Sequence, residues 1–151
     1  MGGDKTMLLA EDNPRDVELT LAALEEANLS VCPFVVGDGA ELLDYLQRSG
    51  KYVGREPGNP SLILLDLKMP KVDGLEALRR IKGSELLRSI PVVVLSSSRE
   101  ESDVAESYQL GANAYVVKPV DFDHFVQALV QLASFWTAIN EPPPSLTTNN
   151  P

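Results

Sequence analysis

The chain has 151 residues, of which 44% are hydrophobic and 23% charged, a length that suits one domain with its own core. Its 22 acidic and 13 basic side chains give a formal charge of −9, which argues against nucleic acids and anionic membranes as partners. A single cysteine, Cys32, and a single histidine, His124, exclude an intramolecular disulfide and metal sites that need several such ligands.

Five short apolar runs recur along the chain, and each is separated from the next by about one helix and two loops. They are Met7–Ala10, Phe34–Val36, Leu62–Leu65, Val92–Leu95 and Tyr115–Val117. The third and fourth runs are apolar throughout, which is typical of strands that are buried on both faces. We predict that all five are strands of one sheet.

The predicted helices follow these runs, where apolar residues recur at spacings of three and four. The first begins after Asn13, a typical N-cap residue, with Pro14 at its first position. Gly50, Gly83 and Gly111 mark the expected ends of the second, third and fourth helices. The apolar positions, in chain order, are Val17, Leu21, Leu24 and Ala27; Leu42, Leu43 and Leu46; Leu75, Leu78 and Ile81; a weaker set within 104–110; and Phe122, Phe125, Val126, Leu129, Leu132, Ala133 and Trp136.

Strict alternation of strands and helices predicts an α/β fold, with a parallel sheet, right-handed crossovers and helices on both faces. The segment 141–151 is rich in Pro, Ser, Thr and Asn, and we expect it to be a disordered tail with no output domain after it. No apolar run reaches the roughly 20 residues that span a bilayer. Since no signal peptide precedes the first strand either, we expect a cytoplasmic location.

Polar residues follow four of the five predicted strands, at the edge where open parallel sheets bind their ligands. They are Glu11 and Asp12 after the first strand, Asp66 after the third, Ser96, Ser97 and Ser98 after the fourth, and Lys118 with Pro119 after the fifth. Three carboxylates, a hydroxyl and an ammonium are therefore expected to converge at this edge.

Three clustered carboxylates repel one another, at a cost on the order of 4 kcal/mol per pair at ~4 Å and an effective dielectric constant of ~20. A bound cation relieves this repulsion, and ligands made only of oxygen favour Mg²⁺ with several retained waters. A carboxylate beside Mg²⁺ can attack a phosphorus atom and form an acyl phosphate. The metal and Lys118 would stabilise charge on the phosphoryl oxygens, and Ser96 would donate a hydrogen bond to one of them.

Other functions fit the same elements less well. Nucleotide-binding P-loops and dinucleotide-binding folds need a glycine-rich first loop, whereas residues 11–16 read Glu-Asp-Asn-Pro-Arg-Asp. This acidic loop would also repel a flavin phosphate, and serine hydrolases need a G-x-S-x-G motif that the chain lacks. A phosphatase with an aspartyl nucleophile stays open as an alternative, although its D-x-D pattern usually follows the first strand.

Five motifs, in this order and spacing, resemble the receiver domain of two-component response regulators. They are 9–13 (Leu-Ala-Glu-Asp-Asn), 64–70 (Leu-Leu-Asp-Leu-Lys-Met-Pro), 73–74 (Asp-Gly), 94–97 (Val-Leu-Ser-Ser) and 111–119 (Gly-Ala-Asn-Ala-Tyr-Val-Val-Lys-Pro). The resemblance covers roughly residues 5 to 137 and implies a flavodoxin-like, doubly wound sheet of five parallel strands in the order 2-1-3-4-5. It makes residues 1–140 one receiver domain.

The resemblance also implies a phosphoryl site. Asp66 would accept a phosphoryl group from a phosphohistidine of a sensor histidine kinase, so that the protein catalyses only its own phosphorylation and dephosphorylation. Glu11 and Asp12 would hold Mg²⁺, or Mn²⁺ in its place. Asp12, Asp66 and the backbone carbonyl of Lys68 would ligate directly, whereas Glu11 would act mostly through water.

A switch is implied in the same way. Lys118 would pair with the phosphorylated site, Ser96 would be the switch hydroxyl and Tyr115 the switch aromatic residue. Two positions depart from the common pattern. Glu11 stands where many members have Asp, which makes water-mediated metal contact more favourable, and Ser97 stands where Ala or Gly is frequent, which would slow phosphoryl access.

A narrower resemblance, to the stand-alone regulators paired with bacterial phytochromes, is carried by the motif 9–13, the loop 54–60, the segment 90–95 and Phe135-Trp136. It implies a phytochrome-type kinase as partner. A receiver for another sensor or hybrid kinase, and a pseudo-receiver that never turns over phosphoryl groups, remain alternatives. Phe135 and Trp136 either pack on their own core or offer an apolar patch for a homodimer.

Overall fold

The computed structural model describes residues 6–26, 33–118, 121–141 and 143–144. Every predicted apolar run is a strand, with one residue added to the fourth and one to the fifth. The strands are β1 (Met7–Ala10), β2 (Phe34–Val36), β3 (Leu62–Leu65), β4 (Val92–Ser96) and β5 (Ala114–Val117). The expectations about Ala27, Cys32, Pro119 and most of the tail 141–151 fall on residues outside the described ranges.

Helices follow each strand in turn. They are α1 (Pro14–Glu26), α2 (Gly39–Gln47), α3 (Gly74–Lys82), α4 (Glu101–Gln109) and α5 (Phe122–Ser134). A 3₁₀ turn, Gly50–Tyr52, follows α2, and a π-helical turn, Phe135–Ile139, continues α5. None of the helices in the described residues is long and apolar enough to cross a membrane.

The strands form one parallel sheet in the order β2-β1-β3-β4-β5, which confirms the predicted doubly wound, flavodoxin-like fold. The connection after β1 leads to β2 on one side, and the next connection returns past β1 to β3 on the other. The order therefore reverses between β1 and β3, and a crevice opens at their carboxyl ends.

The sheet is buried on both faces, as its apolar strands predict. On one face Leu24 of α1 and Phe125 and Leu129 of α5 pack on alternate strand residues such as Leu9 and Leu64. The opposite face carries a second core, formed with α2 and α3. Its buried members include Leu8, Ile63, Leu65, Val94, Leu42, Leu46, Leu78 and Ile81.

The predicted apolar faces of the helices are not buried uniformly. In α1 the buried residues are Thr20, Ala23 and Leu24, because the helix turns its small side chains toward the sheet and leaves Val17 and Leu21 half-buried. Phe122, predicted on the apolar face of α5, is the first residue of that helix and is 42% exposed. In α4 the only buried residue is Ser107, consistent with its weak apolar pattern.

The end of α2 is also displaced from its predicted position. Gly50 was expected to end this helix, but the helix ends at Gln47, and Arg48 takes the left-handed conformation at its cap, with φ of 56°. Gly50, with φ of 58°, opens the following 3₁₀ turn instead. The predictions for Gly83 and Gly111 are confirmed, since Gly83 caps α3 and Gly111 follows α4 with φ of 111°.

Candidate functional site

Backbone hydrogen bonds at the carboxyl edge of the sheet fix the positions from which the predicted site side chains extend. The Glu11 N–H donates to the carbonyl of Val36, and the Asp66 N–H donates to the carbonyl of Ala10, both at 3.0 Å. The Lys118 N–H donates to the carbonyl of Ser96 at 2.8 Å. These bonds continue the ladders of the sheet by one residue, so the side chains start from neighbouring strand ends.

The three predicted carboxylates do come together. One oxygen each from Glu11, Asp12 and Asp66 lies within 4.8 Å of the others. Glu11 is buried, Asp66 is half-buried and Asp12 is exposed. Asp66, Lys68, Ser97 and the residues of the β1–α1 loop line a cleft of about 490 Å³.

Burial raises the pKa of two carboxyl groups in this cluster. Desolvation raises the pKa of Glu11 to about 7, and the negative charge of Asp66 adds to that shift, while the hydrogen bond from Lys118 opposes it. Desolvation also raises the pKa of Asp66, against the attraction of Lys118. Without a cation the fully ionised cluster is therefore costly. A set of oxygen ligands suits a hard divalent ion such as Mg²⁺, so these residues fit the metal that the sequence predicts.

Lys118 reaches this cluster from β5 but pairs with a residue that the sequence analysis did not single out. Its Nζ donates to Glu11 Oε1 at 2.8 Å and to Asp16 Oδ2 at 2.9 Å. Burial alone would lower the pKa of Lys118, but the two hydrogen bonds and the neighbouring carboxylates hold it above its usual value. Asp66 is not among the ion-pair partners of Lys118 within the described residues.

Asp16 had a signal in the sequence that is clear in retrospect. It lies four residues after Asp12 and two residues after Pro14, where α1 begins. Its backbone is held by the cap, because its N–H and that of Arg15 donate to Asn13 Oδ1 at 3.3 and 2.9 Å. The first turn of α1 therefore aims this carboxylate at the end of β5.

The loop after β3 is shaped by two glycines. A Cβ atom on Gly74 would collide with the backbone of Asp66 and Leu67, and a Cβ on Gly39 would collide with the carbonyl of Val72. The Gly74 N–H donates to the Leu67 carbonyl at 2.8 Å. The motif Asp-Gly at 73–74 thus caps α3 and lets its first turn approach the site.

The two predicted switch residues meet at Ser98. The Ser98 N–H donates to Oγ of the buried Ser96 at 3.1 Å, and the Tyr115 hydroxyl donates to the Ser98 carbonyl at 3.0 Å. Ser98 Oγ in turn donates to Asp103 of α4 at 2.6 Å. A movement of Ser96 toward the cleft would therefore disturb both Tyr115 and the first turn of α4.

Phe135 and Trp136 lie at the other end of α5, away from the cleft. Their rings meet edge to face, with centroids 5.0 Å apart. Phe135 is 44% exposed, while Trp136 packs against the core on the α1–α5 face of the sheet. Both line an apolar groove of about 330 Å³ that also contains Val116 and Leu132.

Comparison with known proteins agrees with these features. The model of the family described as "Response regulator receiver domain" matches residues 7–130. The response regulator Rcp1 of Synechocystis is 37% identical over 132 residues, which cover 87% of this chain and 88% of Rcp1. A crystal structure of the Mn²⁺-bound form of Rcp1 has a TM-score of 0.84 at 36% identity, covering 93% of this chain and 99% of that one.

Two further similar structures are of phytochrome response regulators. The phosphorylated cyanobacterial phytochrome response regulator RcpA is 38% identical, with a TM-score of 0.85 over 93% of this chain and 99% of that one. The bacteriophytochrome response regulator RtBRR is 61% identical, with a TM-score of 0.75 over 93% of this chain and 84% of that one.

Proposed function

Because the chain belongs to the response regulator receiver domain family, we propose that it is a phosphoryl-accepting switch of the cytoplasm. A sensor histidine kinase would transfer a phosphoryl group from its phosphohistidine to Asp66 in a reaction that depends on Mg²⁺. The observation that carries this proposal is the convergence of Glu11, Asp12 and Asp66 beside Lys118 at one edge of the sheet.

The chemistry is a displacement at phosphorus. A carboxylate oxygen of Asp66 forms the new P–O bond, the P–N bond of the phosphohistidine breaks, and the histidine nitrogen keeps the electron pair and takes a proton. Asp12, Asp66 and the carbonyl of Lys68 would hold the metal, with Glu11 acting mostly through water. When bound, the metal supplies the positive charge that lets anionic phosphoryl oxygens approach these carboxylates.

The Mn²⁺-bound form of Rcp1 supports a divalent site in a protein of this family. Lys118 would neutralise further charge on the phosphoryl oxygens, and the Ser96 hydroxyl would donate to one of them. To reach a phosphoryl oxygen, the Ser96 side chain would have to move toward the cleft. Because Ser96 Oγ accepts from the Ser98 N–H, this movement would break that hydrogen bond and weaken the hydrogen bond from the Tyr115 hydroxyl to the Ser98 carbonyl. The resulting change at α4 would be the signal that a partner reads.

Acetyl phosphate tests the phosphoryl-accepting step without a kinase. Incubation with Mg²⁺ should add one acid-labile phosphoryl group by intact mass, and chelation of the metal should prevent it. Asp66→Asn should abolish labelling, whereas Asp73→Asn, which removes an acid that caps α3 outside the cluster, should leave it intact. Labelling of the Asp66→Asn variant would contradict the assignment, and no labelling of the wild type would favour the pseudo-receiver alternative.

We further propose a phytochrome-type kinase as the phosphoryl donor. The similarity to RcpA, a cyanobacterial phytochrome response regulator, and to RtBRR, a bacteriophytochrome response regulator, supports this pairing. A purified bacteriophytochrome kinase should transfer phosphoryl groups to this protein faster than unrelated histidine kinases do. Faster transfer from a different sensor or hybrid kinase would point to that kinase class instead.

Finally, we propose a homodimer through the groove at Phe135 and Trp136. The exposed ring of Phe135 and the apolar groove beside it support a self-complementary patch. Light scattering should give the mass of a dimer for the wild type and a lower mass for Trp136→Ala. A monomer in both cases would end this part of the proposal.

A further inference from the structure

The ion pair between Lys118 and Asp16 joins two rigid parts of the fold. Lys118 follows β5, and its N–H bonds to the Ser96 carbonyl. Asp16 lies in the first turn of α1, where its N–H bonds to Asn13 and its carbonyl accepts from the Thr20 hydroxyl at 2.8 Å. Both backbones are fixed, so the side chains meet without any adjustment of the fold.

The two acidic partners of Lys118 are not equivalent. The side chain of Glu11 is 3% exposed and that of Asp16 is 33% exposed, while that of Lys118 is 13% exposed. A buried carboxylate loses much more than an exposed one when its cation leaves, because water cannot replace the cation. Lys118 can therefore exchange Asp16 for another anion far more easily than it can exchange Glu11.

A phosphoryl group on Asp66 would be such an anion. Within the described residues the ammonium is paired with Glu11 and Asp16 and not with Asp66. An ammonium has only three N–H donors, and two are already used. A dianionic phosphoryl group carries more charge than the carboxylate of Asp16, so the two compete for the same ammonium.

We propose that Asp16 is a positioning residue that competes with the phosphoryl group for Lys118. It holds the ammonium toward α1 while Asp66 is unmodified, and it gives the ammonium up when Asp66 is phosphorylated. The inference rests on the proposed phosphoryl-accepting function. It predicts that Asp16 weakens the phosphorylated state relative to the unmodified one.

Beryllium fluoride with Mg²⁺ tests this at equilibrium, because it mimics a phosphoryl group on a carboxylate without a covalent step. Titration calorimetry on the full chain, at saturating Mg²⁺, should show about fivefold tighter binding for Asp16→Asn than for the wild type, the size expected for a partly exposed ion pair. Asp16→Ser should change the affinity in the same direction. Asp16→Glu, which keeps the charge, should restore affinity to within about twofold of the wild type.

Asp121→Asn is the matched control for general electrostatics. Asp121 lines the same groove as Asp16 and Lys118 and caps α5, a role that asparagine also fills. Since it pairs with His124 rather than with Lys118, its loss should change the affinity by less than about twofold. If Asp121→Asn gained as much affinity for beryllium fluoride as Asp16→Asn, the gain would be a general effect of charge, and the proposed competition for Lys118 would be refuted.

Unfolding measurements separate competition from a structural role. Competition predicts opposite signs, namely a less stable unliganded Asp16→Asn variant that binds beryllium fluoride more tightly. A purely structural role would lower both stability and affinity, and that result, or an unchanged affinity, would overturn the inference. Absence of binding to the wild type would instead refute the phosphoryl-accepting function itself.

Discussion

Removal of the negative charge at Asp66 should stabilise the metal-free protein. Two unit charges 4.8 Å apart, the limit that encloses the cluster, repel by about 3.5 kcal/mol at an effective dielectric constant of about 20. Lys118 and solvent around the exposed Asp12 offset part of this. We therefore expect Asp66→Asn to raise the free energy of unfolding by about 1–2 kcal/mol.

Asparagine is suited to this site because it keeps the shape of the side chain. The backbone N–H groups of Leu67 and Lys68 lower the pKa of Asp66 against the effect of its burial, and an amide oxygen can accept from the same donors. The amide NH₂ adds a donor beside the Glu11 carboxylate. The substitution thus removes repulsion without leaving a buried donor unpaired.

Urea unfolding followed by circular dichroism measures the effect in EDTA and again with Mg²⁺. A ligand at about 100 times its Kd stabilises the native state by about 2.7 kcal/mol. The wild type should gain most of this from Mg²⁺, and Asp66→Asn should gain less because one of the two carboxylates that would bind the metal directly is lost. The advantage of the variant should therefore shrink or reverse when the metal is added.

The effect should also depend on pH, because burial raises the pKa of Glu11 from 4.5 to about 7. An acid with a raised pKa in the folded state holds its proton there, so its stabilising effect is present below about pH 4.5 and is lost as the pH rises through about 7. The cluster is fully charged only above that range. Asp66→Asn should accordingly stabilise more at about pH 8 than at about pH 5.5.

Asp73→Asn serves as the control. It also replaces an aspartate by asparagine and so changes the net charge of −9 by the same amount, and asparagine can still cap α3. The reasoning is refuted if Asp66→Asn in EDTA is no more stable than this control. It is equally refuted if Mg²⁺ stabilises Asp66→Asn as much as it stabilises the wild type.

Substitutions at three further positions are tested by urea unfolding. Gly39→Ala should cost more than about 2 kcal/mol, because the new Cβ collides with the Val72 carbonyl, and a neutral result would show that the loop yields. Lys71 has φ of 67°, a left-handed conformation that glycine adopts without strain. Lys71→Val should therefore lower the free energy of unfolding by about 1 kcal/mol, whereas Lys71→Gly should leave it unchanged. Equal stability of the two variants would contradict this. Burial opposes ionisation of Glu41, but hydrogen bonds from a backbone N–H and from the Tyr52 hydroxyl lower its pKa in the folded state. The ionised carboxylate therefore stabilises the fold above about pH 4.5, and this stabilisation is lost as the pH falls through the lower folded pKa. The stability lost in Glu41→Gln should therefore be smaller at about pH 3 than at about pH 7, and a constant difference would contradict this.

The strands could be read from the sequence because the sheet is covered on both faces. A strand in that position has apolar side chains on both faces along most of its length, so Leu62–Leu65 and Val92–Val94 appear as continuous apolar runs. The same requirement explains why the first polar residue after each run marks the sheet edge. The same residues of the sequence therefore predict both where a strand ends and where the site lies.

Helix faces were harder to predict, because spacing along the chain does not give the rotation of a helix about its axis. In α1, Thr20 is buried since its hydroxyl bonds to the Asp16 carbonyl. Phe122 follows the N-cap Asp121 directly and lines the groove beside Arg15 rather than the core. At helix ends, position along the axis decides burial, and a periodic pattern carries no information about it.

The sequence did not decide which carboxylates pair with Lys118, because Glu11, Asp16 and Asp66 all lie near its ammonium. The choice follows from desolvation: Glu11 is the most buried and gains most from a cation, and Asp16 is held in place by the turn of α1. Asp66 is consequently left outside these ion pairs. If Asp66 accepts a phosphoryl group, as we propose, its carboxylate needs an oxygen that no ammonium holds, and the pairing of Lys118 with Glu11 and Asp16 would leave such an oxygen available.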